Sequence, residues 1–207
     1  MTLSIFLLLV YILGSFPTAF IVIKLTHNID IRKAGSGNVG TLNSYEVTNS
    51  KKIGLIVLII DLLKGIIAVS LSKIFFPNDF SASGLSIVFA VLGHCYSIWI
   101  KFSGGRGLAT AAGGMLFLSP LILVVWLISW YLTKKIVANI HIANVTATLF
   151  VVLISILISD QLNIITFPPA ERNIIFTSLI LLIMIIILSK HLKPIKELLK
   201  KTADKNL

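Results

Sequence analysis

Cysteine is nearly absent from this chain of 207 residues. Cys95 stands alone inside an apolar stretch, which excludes a disulfide framework and a cysteine-built metal cluster. Charge is scarce as well: 13% of residues are charged and 57% hydrophobic, where soluble domains average ~25% and ~45–50%. No repeat of about 20–50 residues is visible, and no low-complexity linker divides the chain, so 1–207 reads as one domain. A cleaved signal peptide is not expected either. The first apolar run has no basic segment before it and exceeds the ~7–15 residues that such a peptide uses.

What is present is apolar sequence of spanning length. Runs at 3–23, 53–76, 82–100, 107–133, 136–159 and 173–189 meet or approach the ~20 residues a bilayer core requires of a helix. The expected fold class is all-α, a polytopic membrane helical bundle. The net charge of +10 does not indicate nucleic acid, because the cations sit in short loops and the tail.

Their distribution sets a topology. Lys24, Arg32, Lys33, Lys51 and Lys52 flank or occupy the first loop; Lys101 and Arg106 follow the third run; Lys134 and Lys135 precede the fifth. Lys190, Lys193, Lys196, Lys200, Lys201 and Lys205 fill the tail. The hairpin at 77–81 has none and 160–172 only Arg172, so the positive-inside rule assigns the basic loops and the tail to the cytoplasm. The 107–133 run then begins and ends on one side. Its 27 residues fall short of the ~40 that two full spans need, and Ser119-Pro120 near its middle predicts a break. Two short or re-entrant helices follow, for about seven membrane segments with the N-terminus outside. Backbone broken at membrane depth must be buried in protein or line a wet cavity, which points to a site.

The segment KAGSGNVGTLN, residues 33–43, contains G-x-G-x-x-G at Gly35, Gly37 and Gly40, with Asp61 about 20 positions on. A dinucleotide turn is excluded by context. The motif lies in a loop between membrane helices with no strand before it, and Asp61 falls inside the second span. Its chemistry still suits an anion: glycines let amides converge, Ser36, Asn38, Thr41 and Asn43 offer neutral donors, and Arg32 and Lys33 supply positive potential. The plain alternative is a polar inter-helix turn.

Three further clusters bear on that choice. Asp61 and Lys64 in DLLKG stand at i, i+3 within a span, and intramembrane ionisable groups are costly and usually functional; a buried structural pair is the alternative. His94 lies deep in the third span, where it serves a site or bridges helices. FSGGRGLATAAGG is a second glycine loop with Arg106 at its centre, before a helix start that attracts phosphate. Small-residue helix packing accounts for Ala109 to Gly114 but not for Gly104, Gly105, Arg106 and Gly107. Two such loops facing one another would hold two phosphates, or a phosphate and a carboxylate. No Ser-His-Asp set and no reactive cysteine is found.

YILGSFPTAF, RKAGSGNVGTLN, DLLKG and LGHCYSIWIKFSGGRGLAT, in this order and spacing, resemble the bacterial acyl-phosphate-dependent glycerol-3-phosphate acyltransferases. The likeness runs from about residue 10 to 113 and thins thereafter to His191. It implies a multi-pass enzyme of the bacterial inner membrane that moves a fatty acyl group from acyl phosphate to the 1-hydroxyl of glycerol 3-phosphate, giving lysophosphatidate and phosphate. No cofactor, metal, nucleic acid or protein partner is implied beyond the two substrates and membrane lipids. Ser36, Arg106 and His191 are then the catalytic candidates. Gly35, Gly37, Asn38, Gly40, Thr41, Asn43, Gly104, Gly105 and Gly107 would bind substrate, with Asp61, Lys64 and His94 supporting the loops.

The chain departs from the family pattern on the acceptor side. Where G-A-T-N-x-x-R is usual it has Gly40-Thr41-Leu42-Asn43-Ser44-Tyr45-Glu46, so a carboxylate stands where an arginine is expected. Ser103 and Arg106 replace the lysines of K-G-G-K-G, and Pro194 replaces the asparagine of H-x-x-N. Two other readings stay open: a divergent paralogue with another acceptor or no catalysis, and a phosphate-ester transporter gated by the broken 107–133 segment.

Overall fold

The computed structural model describes residues 1–203; Lys205 of the basic tail lies outside them. Among the described residues every regular element is helical: α1 (Leu3–Ser15), α2 (Thr18–His27), α3 (Thr41–Thr48), α4 (Lys51–Phe75), α5 (Phe80–Cys95), α6 (Leu108–Leu118), α7 (Pro120–Val137), α8 (Ile140–Leu157), α9 (Ser159–Ile164), α10 (Asn173–Ser189) and α11 (Leu192–Ala203). Five pieces are long and apolar enough to cross a membrane: 3–27, 51–75, 80–100, 120–137 and 140–157. Counted as one span, α10 and Leu192–Lys200 of α11, bent by 46°, make a sixth. The 11-residue α6 is the shorter apolar helix beside them.

Helix α5 is the centre of the bundle. Most of its 16 residues are buried, between α1, α4, α6 and α10. The main core joins Ile87, Val91, Met115, Phe176 and Ile183. Helix α7 is peripheral: it leans on α8, buries Ile122 alone, and leaves Leu127, Ile128 and Leu132 exposed. Such apolar outer faces would be a liability in water and are what lipid requires. Helices α4 and α6 touch backbone to backbone, because a side chain on Gly113 would overlap the Leu62 carbonyl.

Two breaks interrupt the spans. The first was not expected. The run read as 3–23 is two helices, parted at Phe16-Pro17, where proline lacks the N–H that would continue the ladder. The freed carbonyls find partners across the bundle: Ser97 Oγ donates to Ser15 O, and Lys64 Nζ to Phe16 O at 2.6 Å. The second break is the expected one at Ser119-Pro120. There Lys73 Nζ donates to Phe117 O at 2.7 Å, and the Phe167 amide to Leu118 O at 2.8 Å. The helix that follows is longer than the sequence suggested. It runs to Val137, takes Lys134 and Lys135 into its last turn, where cations suit the helix dipole, and stops at left-handed Ala138.

Candidate active site

The first glycine loop is stitched by one side chain. Asn43, buried in the first turn of α3, accepts the Ser36 amide on Oδ1 at 2.9 Å. Its Nδ2 donates to Asn38 O at 2.9 Å and Ala34 O at 3.1 Å. The Gly37 amide turns inward as well, to Ala34 O at 3.0 Å. Gly35 and Gly37 hold positive φ of 57° and 70°, and the Gly40 carbonyl receives both the amide and the hydroxyl of Ser44. Thr41 begins α3. Two of the amides that the sequence offered to an anion are therefore spent inside the loop. The Ser36 and Asn38 side chains remain on its outer face.

The second loop rests on the end of α5. The Gly105 amide donates to His94 O at 3.0 Å, and the loop lies so close that a side chain at Gly105 would run into the His94 ring and come within 2.6 Å of Val39 O. Gly105 is thus where the second loop meets the first. Beneath it sits the buried group of Asp61, Lys64 and His94. Lys64 Nζ lies 2.7 Å and His94 Nδ1 3.6 Å from Asp61 Oδ1. A void of about 10 Å³ separates these side chains from Val39 and Gly104. Gly107, at φ 83°, is the N-cap of α6.

Both loops open on one cavity of about 510 Å³. Ser36, Gly37 and Asn38 line it from the first loop, Phe102, Ser103, Gly104 and Arg106 from the second. His141 on α8, Ser189 at the end of α10, Lys190 just after it, and Lys193, Pro194, Glu197 and Leu198 on α11 complete the wall. Arg106, Lys190 and Lys193 face a single carboxylate, Glu197, so the cavity favours anions. Arg106 is half-buried, and burial pushes its guanidinium below the ordinary value, against the raising fields of Glu46 and Glu197. A guanidinium keeps its charge through such a shift. The Lys190 ammonium sits 4.4 Å over the Tyr96 ring. Among the described residues no group of three or more His, Cys, Asp or Glu is disposed to hold a metal.

The candidates of the sequence reading therefore separate. Ser36, Gly37, Asn38, Gly104 and Arg106 lie on the cavity. Gly35, Gly40, Thr41, Asn43, Gly105 and Gly107 shape its loops, with Asp61, Lys64 and His94 underneath. His191 is elsewhere: its ring is 1% exposed, its Nδ1–H donates to Ile187 O at 2.8 Å, and its Nε2 accepts from Asn144 at 3.3 Å. Of the departed positions, Ser103 and Pro194 face the cavity. Glu46 is exposed on α3 and reaches Arg106 through its field alone. His141, Lys190, Lys193 and Glu197 were not singled out as site residues. The available signal for His141 was a polar N-cap and an imidazole, Asn139-Ile140-His141, opening an otherwise apolar span just after a basic pair.

Known proteins share this architecture. The chain is 34% identical over 206 residues to the glycerol-3-phosphate acyltransferase of Helicobacter acinonychis (strain Sheeba), covering 94% of this chain and 90% of that one. It is 35% identical over 174 residues to that of Staphylococcus aureus (strain JH9), covering 78% and 83%. A solved integral membrane glycerol 3-phosphate acyltransferase, in its glycerol 3-phosphate form, superposes with a TM-score of 0.80 at 28% identity, covering 96% of this chain and 92% of that one. Its lysophosphatidic acid form gives 0.77 at 27%. The helices and these neighbours make this an integral, multi-pass membrane protein. A family profile described as glycerol-3-phosphate acyltransferase matches residues 4–201, and the chain belongs to that family.

Proposed function

We propose that the protein transfers a fatty acyl group from acyl phosphate to the 1-hydroxyl of glycerol 3-phosphate, forming lysophosphatidate and inorganic phosphate. The observation that carries this reading is the convergence of both glycine loops on one cation-rich cavity. The hydroxyl oxygen attacks the acyl carbon, the bond from that carbon to the phosphate oxygen breaks, and the hydroxyl proton leaves with the phosphate. An acyl phosphate is a mixed anhydride with its own good leaving group, so no covalent enzyme intermediate is needed. What the protein must supply is alignment and charge. Fixing the reactants together is worth ~7–11 kcal/mol, and preorganised donors on developing negative charge add a few more.

In this reading Ser36 and Asn38 hold the donor's phosphate, and Arg106 pairs the acceptor's phosphate by its guanidinium fork. Asp61, Lys64 and His94 fix the loops. His191 acts from behind the cavity, by holding the α8–α10 junction through Asn144. The acyl chain lies between helices and enters from the bilayer. The loops and the C-terminus face the cytoplasm of a bacterial cell and the N-terminus lies outside, as the charge distribution favours. The test is turnover by purified protein given palmitoyl phosphate and glycerol 3-phosphate. Lysophosphatidate and free phosphate should appear together and vanish in Arg106→Ala and Ser36→Ala; donor binding without product would refute transfer to this acceptor.

That refuting outcome is what a second reading predicts: a divergent member that binds the acyl donor but uses another acceptor. Glu46, Ser103 and Pro194 favour it, since each removes a cation or donor from the acceptor side.

A further inference from the structure

The contact between Arg106 and His141 carries an inference that rests on the proposed reaction and deepens it. Arg106 Nη1 lies 3.3 Å from His141 Nδ1. A guanidinium has no lone pair to offer and does not deprotonate in proteins, so Nδ1 is the acceptor and the ring proton sits on Nε2. His141 is thereby a neutral imidazole that accepts from Arg106 with one nitrogen and keeps an N–H on the other. Both residues line the cavity.

The two residues are held very differently. His141 is anchored: the Asn139 carboxamide oxygen accepts its amide at 2.9 Å and that of Ile142 at 3.2 Å, fixing the first turn of α8 after the left-handed stop at Ala138. Arg106 stands between Gly105 and Gly107, whose lack of side chains gives it no lateral support. Among the described residues no carboxylate forms an ion pair with it; Glu46 and Glu197 act on it through their fields alone. A neutral partner that accepts one N–H fixes the guanidinium without neutralising it, and leaves its remaining N–H groups for a dianion.

We propose that His141 is a positioning and specificity-determining residue for the acceptor: it orients the Arg106 guanidinium toward the phosphate of glycerol 3-phosphate and adds its Nε2–H as a neutral donor to that phosphate.

The experiment is steady-state kinetics on detergent-purified protein, each substrate varied at saturation of the other, with glycerol 3-phosphate binding measured by calorimetry. His141→Ala should raise the acceptor KM and Kd roughly tenfold, the loss of one hydrogen bond to a charged group, with donor KM and kcat within about twofold. His141→Asn, whose amide oxygen takes the place of Nδ1, should recover most of the loss, and His141→Leu none. In an Arg106→Lys background His141→Ala should cost clearly less than in wild type, because the part of its effect that passes through Arg106 is already lost. Equal rises in both KM values, a fall in kcat alone, or full additivity with Arg106→Lys would overturn the proposal and mark His141 as structural. Wild type that binds glycerol 3-phosphate without forming lysophosphatidate would sink the proposed reaction, while the Kd series still decides the role of His141. Wild type that neither binds nor turns over this acceptor would overturn both.

Discussion

Replacing Gly105 by alanine adds a methyl group at the point where the two glycine loops touch. That carbon would overlap the His94 imidazole and lie 2.6 Å from Val39 O, where ordinary contact begins at about 3.5 Å. Neither neighbour yields cheaply. His94 is held against Asp61, and Val39 O is backbone of a loop already fixed by four hydrogen bonds from Asn43 or to it. The second loop must therefore lift by about 1 Å, carrying Arg106 with it. Overpacking of this kind costs roughly 1–3 kcal/mol of stability, and a 1 Å misplacement of a reacting group costs about 100-fold in rate. Acyl transfer from palmitoyl phosphate, together with the thermal unfolding midpoint, reads both effects. Gly84→Ala is the control: the added methyl would meet the flexible end of Leu179, near the other end of α5 from His94, and should leave turnover unchanged at a small stability cost. Gly105→Ala with more than half of wild-type kcat/KM would refute the claim that contact between the loops sets the site.

Asp61→Asn should destabilise the protein by about 3–5 kcal/mol, because it leaves the Lys64 ammonium buried without its counter-charge. Unfolding midpoints read this, and the joint replacement Asp61→Leu with Lys64→Met should be less damaging than Asp61→Asn alone. Glu46→Arg replaces an opposing field at Arg106 by a reinforcing one, so the acceptor KM should fall several-fold while the donor KM holds. Both kinetic constants come from the turnover assay, and an unchanged acceptor KM would show Glu46 to be irrelevant to the site.

Much of the bundle was legible because hydropathy measures what a membrane selects. The spanning runs correspond to α1–α2, α4, α5, α6–α7, α8 and α10, and Ser119-Pro120 broke where proline chemistry required. The Phe16-Pro17 break was overlooked although its proline was equally visible. A continuous apolar run does not say whether partners exist for the carbonyls that a break frees, and here they come from Ser97 and Lys64, more than 45 positions away. The loops were legible as loops; the direction of their donors was not. Asn43 looked like a ligand donor and proves to be the loop's own stitch, since composition does not tell an amide turned inward from one turned outward. His191, in the turn between α10 and α11, and His141, in the first turn of α8, illustrate the same limit, since residue type alone does not say which imidazole meets the cavity.

The lysines of α4 clarify what intramembrane charge does in this fold. Lys64 and Lys73 stand nine residues apart on one helix, and each ammonium caps a carbonyl that a proline break has freed. A broken span is tolerated in lipid only if those carbonyls are satisfied, and Lys64 does this while also holding Asp61. The Phe16-Pro17 break lies on the way into α2 and the first glycine loop, and Asp61 reaches His94 under the second. The costly buried pair thus acts on chemistry at one remove. It satisfies a carbonyl at the break that precedes one loop and anchors the histidine on which the other rests, so its loss should disturb both loops together rather than either substrate alone.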